Sequence, residues 1–146
     1  MSFGQAISTV FSKYATFTGR ARRAEFWWWV LFQVMVGIVT NLLDNMLFPD
    51  TSIGGDTGSG PITSLANVAL LLPTLAVTAR RLHDIDRSGW WQLIGLIPIV
   101  GWIIVIVWMV RDGQPQTNRF GGDPTGRALQ GPGGSGPQDY VPPRPY

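Results

Sequence analysis

Phe3, Ile7, Val10, Phe11 and Tyr14 recur at steps of three and four, with Gln5, Ser8, Thr9, Ser12 and Lys13 between them. That period predicts a short amphipathic helix over the first fourteen residues, lying in a membrane interface or packed against other helices. Thr16, Thr18 and Gly19 break it, and beyond them the pattern becomes continuously apolar. Residues 26–43 carry no charge, and the apolar character runs past Asp44 to Phe48. As helix, residues 26–48 would measure about 34 Å, enough to cross a hydrocarbon core of about 30 Å. Residues 62–79 form a second uncharged stretch, about 27 Å as helix, which spans with help from its flanks. Residues 90–110 form a third, uncharged and holding four Trp. Lipid offers backbone groups no water to bond, so helix is the expected conformation of all three. Pro73 and Pro98 lie inside the second and third stretches and predict kinks, because proline lacks a donor and crowds the preceding turn.

Composition agrees with this pattern. The 146 residues are 45% hydrophobic and 14% charged, where an average soluble domain has about 25% charged. With no Cys, a disulfide framework, a Cys-based zinc site and a thiol nucleophile are excluded. A net charge of +2 without a basic stripe argues against nucleic acid as a partner. Fifteen of the last 35 residues are Gly or Pro, so residues 125–146 read as a disordered tail appended to a membrane domain over 1–124. A cleaved secretory signal is not expected, since the first apolar stretch is too long and ends in Leu47-Phe48-Pro49-Asp50.

Cation placement sets the expected orientation. Lys13, Arg20, Arg22 and Arg23 precede the first span, the connection over 49–61 has no Lys or Arg, and the next carries Arg80, Arg81 and Arg87. Four, zero, three puts the N-terminus and second connection in the cytoplasm. Trp27, Trp28, Trp29, Trp90 and Trp91 open two spans at that same side and read as interfacial anchors. Three full spans are the expected count, which sends the tail outward although it holds Arg111, Arg119, Arg127 and Arg144. A re-entrant third stretch, turning at Pro98, would place the tail inside instead.

Arg80, Arg81, His83, Asp84, Asp86 and Arg87 crowd eight residues between two spans and form the densest polar cluster in the chain. Three readings compete. A topology-setting loop with local ion pairs is the plainest. Contact with phosphate headgroups suits the guanidinium fork, making Arg20, Arg23, Arg80, Arg81, His83, Asp84 and Arg87 the candidate contact residues. Catalysis would use His83 as a general base oriented by Asp84, but no second His, Cys or serine elbow accompanies them. One His with scattered Asp also falls short of a metal site, so neither metal nor cofactor is expected.

The run Phe17-Thr18-Gly19-Arg20-Ala21-Arg22-Arg23-Ala24-Glu25-Phe26-Trp27 resembles the opening motif of the YhaH-like bacterial inner-membrane proteins, a family of unknown function. Arg81-Leu82-His83-Asp84 with Arg87-Ser88-Gly89-Trp90-Trp91 resembles its second motif. Gly113 with Asn118-Arg119-Phe120-Gly121 and Asp123-Pro124 resembles its third. The chain departs from it at Gln116, where Gly is common, and at Gly122, where Pro is common. The resemblance implies a multi-pass protein of the bacterial plasma membrane and supplies no activity.

The sequence therefore predicts an all-α integral membrane protein, with three transmembrane helices after a short amphipathic helix. Its expected role is non-enzymatic, as an accessory or scaffold protein contacting anionic lipid headgroups or a membrane partner, including a second copy of itself. An oligomeric transporter or channel component, with Pro73, Pro98, Asn41 and Asn67 along a path, is the alternative, followed by a membrane enzyme using His83 and Asp84.

Overall fold

The computed structural model describes residues 1–51 and 59–126, and these form helices without a named strand. Helix α1 spans Phe3–Ser12 and opens with a reciprocal cap. The Gln5 amide donates to Ser2 Oγ, and the Ser2 amide donates to Gln5 Oε1 at 2.9 Å. Its apolar face packs on the next helix rather than standing free. Phe3 meets Trp28 edge-on at 5.7 Å, Phe11 meets Trp29 at 5.4 Å, and Val10 is buried with Trp29 and Val77.

Helix α2, Arg23–Leu47, and helix α3, Pro61–Asp84, are each long and apolar enough to cross a membrane. They exceed the expected spans 26–48 and 62–79 mainly at their charged ends, where α2 starts at Arg23 and α3 continues through Asp84. Their outward faces are apolar: Val34, Met35, Ile38, Val39 and Leu42 on α2, and Leu65, Val68, Leu71 and Leu72 on α3, are exposed. A belt of that extent is not left to water in a monomeric protein.

Between the two helices runs a polar seam. Trp29 Nε1 and Gln33 Nε2 both donate to Thr74 Oγ1, at 3.1 and 2.7 Å, while that hydroxyl donates to the Leu70 carbonyl. Further along, the Thr63 hydroxyl donates to Thr40 Oγ1 at 3.2 Å. Asp44 closes the seam by accepting from the backbone N–H groups of Ile62 and Thr63, at 2.9 and 2.8 Å. A carboxylate on α2 therefore caps the N-terminus of α3, where the exposed donors and the helix dipole favour negative charge. Gly60 makes room for it, since a Cβ there would stand 2.3 Å from Asp44 Cγ. Asp44→Ala is expected to lower the unfolding temperature in detergent, and Asp44→Asn to recover part of the loss. An unchanged temperature in the Ala variant would exclude the cap.

Pro73 is buried inside α3. Lacking an N–H, it cannot bond the carbonyl of Ala69 four residues earlier. The Tyr14 hydroxyl donates to that carbonyl instead. Where lipid keeps water away, an orphaned carbonyl costs about 1–3 kcal/mol, so Tyr14→Phe is expected to destabilise the protein by at most that order. In a Pro73→Ala background, where the helix satisfies Ala69 itself, the same change should cost much less. A double-mutant cycle with no coupling would exclude the compensation.

The third apolar stretch does not form a full-length helix. It divides into a 3-10 helix, Gly89–Leu96, and an eleven-residue helix α4, Val100–Val110. Each limb is about 16 Å long, half of what a crossing needs. Between them Ile99 takes a φ of 65°, and Gly101 lies so close to the Ile94 carbonyl that a Cβ would stand 1.8 Å from its oxygen. Trp102 Nε1 donates to the Gly95 carbonyl at 2.9 Å and ties the limbs together. The expectation of a third span over 90–110 is thus corrected to a hairpin. Pro98 and Gly101 are the cause, one withholding a helical donor and the other admitting a backbone-to-backbone approach. The Gly/Pro-rich stretch beyond residue 126, expected to be disordered, lies outside the described residues.

Candidate functional site

The charged ends of α2 and α3 meet the segment following α4 in a buried polar knot. Asp84 lies at its centre. Its Oδ1 accepts from Arg20, with Nε at 2.9 Å and Nη2 at 2.8 Å, and its Oδ2 accepts from Arg81 Nη1 at 2.6 Å. The remaining guanidinium donors reach backbone oxygens. Arg20 Nη1 donates to the carbonyls of Gln116 at 2.7 Å and Gly121 at 3.2 Å, and its Nη2 donates to that of Gln114. Arg81 donates to the Met109 carbonyl at 3.2–3.3 Å and to the Arg111 carbonyl. The backbone adds a bond of 2.9 Å from the Gln114 N–H to the Asp84 carbonyl. Gly113 must be glycine here, because a Cβ would stand 1.9 Å from Asp84 Oδ2.

His83 joins the same knot. Its Nδ1 lies 3.0 Å from the Gly19 carbonyl, an acceptor only, so Nδ1 carries the hydrogen. The ring stacks on Phe120 at 3.8 Å with an interplanar angle of 2°, and the His83 carbonyl accepts from Asn118 Nδ2 at 2.9 Å. Beside it, Arg80 Nη1 pairs with Glu25 Oε1 at 2.5 Å, and the Ala21 N–H donates to the Arg80 carbonyl. Both limbs of the hairpin therefore begin and end at the charged end of the helix pair.

This geometry redistributes the candidate residues. Arg20, Arg80, Arg81, His83 and Asp84 come together, but they are buried, and Arg80 and Arg81 are 0% exposed. The side chains of these arginines and Asp84 join protein to protein, whereas His83 also borders an open groove. Arg23 is half-exposed, bound to Asp112 at 2.6 Å and to the Val110 carbonyl. Arg87 lies over the Trp108 ring at 4.4 Å and the Trp91 ring at 5.8 Å. Of the aromatic anchors, Trp27, Trp90 and Trp91 are exposed and Trp28 is half-buried, whereas Trp29 is wholly buried. Three consecutive residues of a helix point about 100° apart, so they cannot share one outward face.

Sequence reasoning missed Glu25, Gly113, Gln114, Gln116 and Phe120 as members of the knot. Most contribute carbonyls or a missing side chain, which no residue-type pattern reveals. It also paired His83 with Asp84, and that dyad is not formed: the imidazole bonds Gly19, while both carboxylate oxygens are held by arginines. Asn41 and Asn67 are exposed. Among the described residues, no three His, Asp or Glu side chains converge as metal ligands.

Two apolar helices of membrane length, tied at one end by buried arginines and a returning hairpin, define a helical membrane protein. The chain belongs to the family described as Protein of unknown function (DUF805), which matches residues 14–122. It is 44% identical over 115 residues to Inner membrane protein YhaH of Escherichia coli K12, covering 79% of this chain and 92% of that protein. It is 36% identical over 116 residues to Inner membrane protein YhaI of the same strain, covering 80% and 92%. Uncharacterized protein YiiR of that strain is 34% identical over 92 residues, 62% of this chain and 53% of the relative. No solved structure matches the chain. The three motifs that mark the resemblance are the three segments that meet at Asp84. Neither departure disturbs that meeting, since Gln116 bonds through its carbonyl and the exposed Gly122 lies just beyond Gly121.

Proposed function

We propose that this chain is a bacterial inner-membrane protein with two spans and a re-entrant hairpin, its N-terminus and tail in the cytoplasm. It acts without catalysis, as an accessory or scaffold protein whose cytoplasmic face contacts anionic lipid headgroups. The observation that carries this reading is the division of its arginines into two sets. The inner set, Arg20, Arg80 and Arg81, is engaged within the knot, two of them by Asp84 and the third by Glu25, and joins three segments of the chain. On the rim, among the described residues, Arg22 and Arg111 form no ion pair, and the Arg87 side chain is held against indole rings. Guanidinium groups held at headgroup level by a rigid base suit phosphate better than flexible ones, because less freedom is lost on contact.

The test separates the two sets. Full-length protein carrying Arg22→Gln and Arg111→Gln is purified from native membrane and its bound anionic phospholipid counted. Each surface cation is worth about 1 kcal/mol near an anionic leaflet, so each removal should weaken retention about fivefold while leaving the fold intact. Arg81→Lys should instead lower stability, since Lys cannot reproduce the fork that joins Asp84 to the Met109 and Arg111 carbonyls. Wild-type anionic lipid in the rim variant would remove the support for headgroup contact.

A further inference from the structure

A groove of about 460 Å³ opens beside the knot, between the end of α3 and the first limb of the hairpin. Its walls are apolar, from Phe17, Leu75, Leu93 and the 77%-exposed Trp90. Its polar groups are unusual because two of them are acceptors without donors. The His83 hydrogen is on Nδ1, facing Gly19, which leaves Nε2 with a bare lone pair. That nitrogen faces Gly89 on the groove wall, where a Cβ would stand 3.4 Å from it, and no described residue donates to it. Gln92 lines the same groove, and its Oε1 is closed off from solvent with no donor among the described residues. The terminal torsion of glutamine is soft, so this oxygen is free to turn toward a donor in the groove that the residue lines. Ser88, also in the wall, accepts from the Trp90 N–H through Oγ, and its hydroxyl hydrogen has no described acceptor.

We infer that this groove seats a phospholipid whose headgroup carries a primary ammonium. The ammonium donates to His83 Nε2 and Gln92 Oε1, the Ser88 hydroxyl donates to the phosphate, and the first part of an acyl chain lies along Leu75 and Leu93. The volume suits a headgroup with the upper part of one chain. Acceptors in the lining and no Lys or Arg among it select a donor-bearing head over an anionic one. The site is thus distinct from the rim arginines and rests only on this end of the protein lying at headgroup level.

Full-length protein is exchanged into nanodiscs holding equal parts of phosphatidylethanolamine, phosphatidylcholine and phosphatidylglycerol with identical chains. Retained lipid is then counted by native mass spectrometry. Phosphatidylcholine keeps the phosphate and charge but has no N–H, so it isolates the donor. The expected result is retention of phosphatidylethanolamine over phosphatidylcholine by about tenfold or more, the worth of a hydrogen bond to a charged group. Gln92→Leu, which removes an acceptor, and Leu93→Trp, which fills the groove from its exposed rim, should each lower that ratio. Equal retention of the two lipids by wild type, or a ratio unmoved by either substitution, overturns the inference. The phosphatidylglycerol arm reads the rim arginines separately, so the two readings fail independently.

Discussion

Asp84→Leu opens the polar knot and releases the segment after α4. Two guanidinium groups, from Arg20 and Arg81, would then be buried against no carboxylate. Removing one partner of a buried pair costs about 3–5 kcal/mol, because the other charge remains without compensation. Unfolding temperature in detergent should fall steeply, and protease should cut the chain after Gly113 that wild type protects. Asp84→Asn, isosteric but neutral, should fall between the two. The comparison is Arg119→Ala. Arg119 pairs with Asp86 at 3.2 Å, but both side chains are exposed, and such pairs are worth at most about 1 kcal/mol. If Asp84→Leu melts no earlier than Arg119→Ala, the knot does not hold the fold.

A reporter fused after Tyr146 is expected to work only as a cytoplasmic protein, like one placed near Asp84. One inserted in the 54–60 connection should work only outside. The hairpin makes this an all-or-none result. Three full spans would export the tail and split the cations between the two sides. A hairpin would return the tail to the N-terminal side, which would gather all eleven Lys and Arg residues there, since the 49–61 connection has none. The arrangement with every cation inside is the one the insertion machinery favours. An exported C-terminal reporter would restore the third span and dismantle the knot with it, since Gln114 and Gly121 could not reach Arg20.

Period and charge alone made α1, α2 and α3 legible, because a long uncharged run or a step of three to four leaves few alternatives. The same criteria misled at residues 90–110. They measure apolar length, and although Pro98 offered a turn as the alternative, what settles it is Gly101 meeting the Ile94 carbonyl, a contact between limbs that residue types alone do not mark. The candidate site was half legible. Its arginines stood out as a cluster, and their grouping with Asp84 was visible within the 80–87 segment. What escaped was their direction, because Arg20 and Arg81 turn inward to carbonyls of Gln114, Gln116, Met109 and Gly121. Backbone oxygens are present at every residue, so no composition marks the ones that will be used. Trp29 and Tyr14 show the same limit. One was placed at an interface and is core; the other belonged to an amphipathic stripe and supplies the donor that Pro73 lacks.

The residues that meet at Asp84 are far apart in the order of synthesis. Arg20 is made early, Asp84 64 residues later, and the Gln114 and Gln116 carbonyls after that. An arginine without its acceptors cannot leave water cheaply. While the chain is still being made, the ends of α2 and α3 must therefore wait in the aqueous boundary, half assembled. Only when residues 113–121 have emerged can the charged ends withdraw and the hairpin settle against them. Residues 113–121 are thus the closure of the knot, and a nascent chain halted before Gly113 carries its incompleteness as exposed positive charge, legible to any quality-control factor that reads it.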